Sequence, residues 1–134
     1  MNRIITYLTF NGNCREAMEF YRYCLGGELK FQTLGESPKT EKLPQHMQDY
    51  IVQAMLKNDN LLLMGTDMME EEGLIHGNTN YILLDCRSLE DMTNFYKKLA
   101  TEGESTHPIQ KTFSRGYFGG LTDRFGNHWL FNCN

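Results

Sequence analysis

Residues 11–28 read NGNCREAMEFYRYCLGGE: a turn, a capped helix and a glycine stop. Asn13 is placed to cap the helix, and Glu16, three residues on, to reach back to it. Ala17, Phe20, Tyr21, Cys24 and Leu25 recur at i, i+3, i+4, i+7 and i+8, one face of an α-helix. Gly26 and Gly27 supply backbone that tolerates positive φ where the helix must end. The same pattern returns downstream. Ser88 is a second cap with Asp91 three residues on. Leu89, Met92, Phe95, Tyr96, Leu99 and Ala100 form a second apolar face, and Gly103 is its stop. Phe20-Tyr21 and Phe95-Tyr96 are the same pair in the same place, so the chain reads as one module written twice.

Around the two helices the rest reads as strands. Residues 4–10, IITYLTF, are β-branched and aromatic. Residues 28–34 alternate, with Leu29, Phe31 and Thr33 on one side and Lys30 and Gln32 on the other. Residues 36–48 hold two of the three prolines and form an excursion, a length of loop that is often functional. Residues 50–56 and 61–64 are strands joined by the turn KNDN, and a linker follows over 67–78 with the acidic run Glu70, Glu71, Glu72. The second pass places strands at 81–86, 105–113, 116–122 and 128–132, the first of the last three interrupted by Pro108 and therefore an edge. Each half is strand, helix, strand, strand, strand. The expectation is an α+β fold of two βαβββ modules in a single domain, at about residues 1–67 and 75–134.

Composition excludes several classes. A chain of 134 residues buries about two thirds of its unfolded surface, enough for a core. A net charge of −4 without a basic stripe argues against nucleic acid as a partner. The N-terminal residues lack an apolar segment of signal-peptide length and no run approaches a membrane span, so a soluble, cytoplasmic protein without membrane association is expected. Cys14, Cys24, Cys86 and Cys133 include no C-x-x-C pair and read as reduced thiols. The acidic run lacks the spaced oxygens and internal glycine of a calcium loop.

The duplicated βαβββ unit, the early G-N-C-R-E-A-M-E-F-Y…L-G-G-E and the late D-R-F-G-N-H-W together resemble the vicinal oxygen chelate superfamily, which includes glyoxalase I, extradiol dioxygenases and bleomycin- and fosfomycin-resistance proteins. The resemblance covers essentially the whole chain. It is nearer to the PhnB-like branch, often labelled 3-demethylubiquinone methyltransferase-like. It implies that each module curls into half an open barrel, that the curved sheets surround a pocket, and that the protein is a homodimer. The methyltransferase label is set aside: a glycine-rich turn between a strand and a helix is needed to approach that cofactor. Here Gly26-Gly27 follows a helix and Gly119-Gly120 lies inside a strand.

The metal enzymes of the superfamily take His, Gln or Glu from the first and last strand of each module. The corresponding positions here fall near Thr6 or Tyr7, Met64, Tyr81 and Leu130, none of them a good donor for an ion that must hold a substrate's oxygens. No metal and no cofactor is therefore expected, and the partner expected is a small molecule. The resemblance also marks Gln53, where relatives often carry His, and Arg115 with Tyr117 ahead of the final hairpin. With Tyr7, Tyr81 and Trp129 these form the expected ligand-binding set. Gln53 offers a donor and an acceptor, Arg115 a partner for carboxylate or phosphate, and Trp129 a flat apolar face. No catalytic residue is assigned. The alternative is a metal-dependent lyase, isomerase or dioxygenase with displaced ligands, drawn from His46, Gln53 and His128; a third reading is a dimeric structural protein. His76 and His107 join no cluster in the sequence. Cys14 stands in the first turn of a helix, which favours thiolate, but no His is placed beside it, so it is not taken as a nucleophile.

Overall fold

A computed structural model describes residues 2–36, 48–68 and 73–134. It divides into two compact units, Met1–Leu74 and Ile75–Asn134. Most of the 36–48 excursion, His46 with it, and the run Glu70 to Glu72 lie outside the described residues.

In the first unit the strands are β1 (Thr6–Phe10), β2 (Glu28–Thr33), β3 (Ile51–Asn58) and β4 (Leu61–Asp67), with α1 (Cys14–Leu25) between β1 and β2. They form one sheet in the order β1-β4-β3-β2. β1 runs parallel to β4 and the other pairs are antiparallel. The second unit repeats this path with β5 (Ile82–Cys86), α2 (Leu89–Leu99), β6 (Glu104–Lys111), β7 (Tyr117–Thr122) and β8 (His128–Cys133), ordered β5-β8-β7-β6. The α+β class and the two βαβββ modules are as the sequence indicates. β6 is the expected edge strand, and its register slips between His107 and Gln110, around Pro108, which has no N–H to give to the ladder. Among the described residues no helix is long and apolar enough to cross a membrane.

Each helix covers one face of its own sheet. A Cβ built on Gly65 would sit 3.2 Å from the sulfurs of Cys14 and Met18 on α1, so the row Leu8–Gly65–Ala54–Phe31 faces the helix. In the second unit the Tyr96 ring of α2 lies 5.2 Å from that of Phe131. The row Leu84–Phe131–Gly119 therefore faces α2. The helix faces differ in detail from the spacing argument. In α1 the buried residues are Cys14, Ala17, Met18, Tyr21 and Cys24, while Phe20 and Leu25 are half-buried. In α2 they are Met92, Tyr96 and Leu99, and Leu89 is exposed.

The helix ends also need correction. Ser88 caps α2 as expected, accepting from Asp91 N at 3.1 Å. Asn13 makes no side-chain cap. The first N–H of α1, on Cys14, donates 2.9 Å to Asp67 Oδ1 at the end of β4, a carboxylate well suited to the positive end of a helix. Gly26 and Gly27 do take positive φ after α1. After α2 that role falls to Glu102 at φ 59, not to Gly103. Gly103 is required for space: a Cβ there would lie 2.5 Å from the Thr122 carbonyl oxygen.

Candidate functional site: the open faces of the sheets

Strand alternation turns the rows between the helix-facing ones toward the open face of each sheet. In the first unit that face carries the row Tyr7–Met64–Met55–Lys30, with Gln53 one row along, paired to Gln32. Tyr7 is 51% exposed. Thr66 shares the face, and its hydroxyl lies 2.8 Å from Val52 O and 3.2 Å from Ile51 O. Tyr7 and Gln53 thus sit on one surface with β4 between them, two strand spacings across and two residues along, about 12 Å apart.

In the second unit the open rows are Leu83–Leu130–Gly120 and Asp85–Asn132–Phe118, with Thr122 and His128 paired beyond them. Tyr81 lies one residue before β5, its ring 5.4 Å from that of His128. Both nitrogens of His128 are engaged. Nε2 is 2.7 Å from the Gly77 carbonyl, which only accepts, and Nδ1 is 2.8 Å from the Thr122 hydroxyl. In neutral His128 the proton therefore sits on Nε2 and Nδ1 accepts from Thr122.

The remaining expected residues stand elsewhere. Trp129 is the main correction. It is 0% exposed, on the helix side of β8 two residues from Phe131, and its indole N–H donates 2.8 Å to Asp123 Oδ2. Tyr117, paired with Cys133, lies on the helix side at the end of β7 and is half-buried. Arg115 is exposed in the turn between β6 and β7, with φ 71, where Thr112 N donates 2.8 Å to Gly116 O. Sequence reasoning passed over Leu83, Asp85, Phe118 and Asn132, all on the open face. The signal was in β8, HWLFNC, where Trp, Phe and Cys alternate with His, Leu and Asn.

The register also fixes the strand positions marked for metal donors. Tyr7 and Met64 are direct partners, three residues before the Phe10–Asp67 pair. The equivalent partners in the second unit are Leu83 and Leu130, three before Cys86–Cys133; Tyr81 is displaced from this position by two residues. A phenol, a thioether and two isobutyl groups do not fit a hard or borderline divalent ion. Among the described residues no group of three or more His, Cys, Asp or Glu side chains is placed to hold a metal. Gln53 and His128 belong to different units. Cys14 departs from the thiolate expectation: burial first, and the Asp67 carboxylate second, push its thiol up to about 12.

The sequence model of the Glyoxalase/Bleomycin resistance protein/Dioxygenase superfamily matches residues 3–131. Protein YjdN of Escherichia coli (strain K12) is 32% identical over 136 residues, covering 94% of this chain and 91% of its own. The crystal structure of protein PA1353 from Pseudomonas aeruginosa matches at TM-score 0.83 and 33% identity, over 100% of this chain and 98% of that one. The PhnB protein from Bacillus cereus shares the fold, at TM-score 0.75 and 20% identity over 99% and 100% of the two chains. A fold of two βαβββ units, each with its first and last strands in parallel, agrees with the sequence match: the chain belongs to the Glyoxalase/Bleomycin resistance protein/Dioxygenase superfamily.

Proposed function

We propose that this protein binds a small molecule on the open sheet faces without a metal ion. One observation carries the reading: the strand pairs marked for metal donors are Tyr7–Met64 and Leu83–Leu130. These residues suit an apolar ligand surface and not a Lewis-acid centre. Tyr7 and Gln53 supply hydrogen-bonding anchors in the first unit and Tyr81 does so in the second, among methionine and leucine side chains, the usual balance of a ligand site. Arg115, Tyr117 and Trp129 leave the set because they lie off these faces. A reaction that collects charge on two oxygens of one substrate needs three or four rigid donors around an ion; neither strand pair provides them.

The test is elemental analysis of protein purified without chelator or affinity tag, followed by assay with added nickel, zinc, manganese and iron. The expected result is no stoichiometric metal and no glyoxalase-type turnover. One tightly held ion per subunit, lost on His46→Ala, Gln53→Ala or His128→Ala, would reverse the reading. We also propose a homodimer, supported by family membership and by two edge strands in each sheet. Sedimentation at micromolar concentration should give about twice the 15.6 kDa chain mass, and a clean monomer excludes it.

A further inference from the structure

β5, β7 and β8 contain no lysine or arginine. On the open face that they share, the one carboxylate is Asp85, at the edge of an apolar floor. Leu83, 57% exposed, stands two residues before it on the same strand. Phe118 lies two strands away in the same row, 38% exposed, with the His107 ring 6.4 Å from its own at 71°. Asn132, between them in the row, donates from Nδ2 to Asp85 Oδ1 at 3.0 Å. That bond orients the carboxylate, and among the described residues Oδ2 has no protein donor.

From this arrangement we infer that the open face of the second unit takes an arylalkylamine: an ammonium group on Asp85 and a flat apolar body lying over Leu83 toward Phe118. The inference rests on the small-molecule reading above and narrows it to a ligand class. Strands are spaced about 4.8 Å apart, so Asp85 and Phe118 are separated by about 10 Å, the span of a two-carbon amine on a fused ring. An ammonium gives Oδ2 a charge-assisted hydrogen bond, and a ligand carboxylate in the same place meets repulsion with no cation on these strands to relieve it. Asp85 is solvent-exposed, which limits the discrimination to roughly tenfold. The hold that Asn132 has on the side chain removes part of the ordering cost of binding.

The test uses the full chain and three matched probes, 2-(2-naphthyl)ethylamine, 2-(2-naphthyl)ethanol and 2-naphthylacetate, followed by backbone amide shifts in NMR titrations. The amine should bind about tenfold more tightly than the carboxylate and move the amides of Leu83, Asp85 and Phe118. Asp85→Asn should lower amine affinity to that of the alcohol and leave the alcohol unchanged, and Phe118→Ala should weaken all three probes together. A carboxylate that binds as well as the amine, an amine unaffected by Asp85→Asn, or probes unaffected by Phe118→Ala would overturn the inference. Binding of the alcohol with no gain for the amine overturns the ligand class alone. If none of the three moves an amide on either open face, the small-molecule reading falls with it.

Discussion

The two units follow one chain path and fasten it differently. In the first, Asp67 at the end of β4 accepts from Cys14 N through Oδ1 and from Ile51 N through Oδ2, both at 2.9 Å. A single side chain thereby holds the start of α1, the start of β3 and the end of β4. In the second, Cys133 occupies the register position of Asp67, and α2 is started locally by Ser88. The key carboxylate there is Asp123 in the β7–β8 turn, 3% exposed. Its Oδ1 accepts from Phe125 N at 2.8 Å and Asn127 N at 3.0 Å, and its Oδ2 from the Trp129 indole. The turn between β3 and β4 is held by a lighter counterpart, Asn58 Oδ1 accepting from Asn60 N at 3.0 Å. Packing is exchanged in the same way: Gly65 stands beside Ala54 where the second unit sets Phe131 beside Gly119. A shared fold therefore fixes the path of the backbone and leaves free which residue closes each junction.

Substitutions can break this contrast. Asp123→Ala should have the largest effect, because it leaves the buried Trp129 indole and two turn amides without their acceptor. A loss of about 4 kcal/mol in urea unfolding is expected, with hydrogen-exchange protection falling first in the second unit. Asp67→Ala should follow at about 3 kcal/mol, its loss of protection concentrated at Cys14 and Ile51. If it costs less than Ser88→Ala, the remote fastening of α1 is not what holds the first unit.

Alkaline pH sharpens the comparison further. Burial pushes the Cys86 thiol up to about 11, with Cys133 and two nearby carboxylates adding to it, and the Cys14 thiol reaches about 12. Both folded values lie above the ordinary thiol value of 9.0. The native state keeps protons that the unfolded chain gives up, so this stability is intact below pH 9 and is lost as the pH rises toward 11 and 12. At pH 11 each thiol should have withdrawn on the order of 2 kcal/mol, and Cys14→Ala should flatten the fall over the highest unit of pH. The smallest effect is Ser88→Ala, about 1 kcal/mol. A cost well above that would mean that α2, too, depends on its first turn as α1 depends on Asp67.

What the sequence made legible was periodic or local. The repeated helices, the order of the strands, the edge position of the Pro108 strand and the Ser88 cap all follow from neighbours within a few residues. The Asp67 contacts do not, since their partners are 53 and 16 residues away. Asn13 has the right chemistry for a cap, but the local signal carries no trace of the carboxylate that arrives from β4. Trp129 was misplaced for another reason. Its size suits a ligand wall as well as a core, and only the parity of β8 against Phe131 and α2 decides between them. The same parity would have brought out Leu83, Phe118 and Asn132. Met18 was missed because an ideal face drawn through Phe20 and Leu25 is rotated from the face α1 buries.

The four buried thiols divide evenly, Cys14 and Cys24 in the first unit, Cys86 and Cys133 in the second. With a thiol near pKa 11, only about one molecule in ten thousand carries a thiolate at pH 7, so a folded Cys86 is almost inert to alkylating reagents. Labelling must wait for the surrounding structure to open. Cys14 and Cys86 are therefore a pair of native clocks: under mild conditions, the rate at which each is modified counts the openings of its own unit, one half of the chain timed against the other.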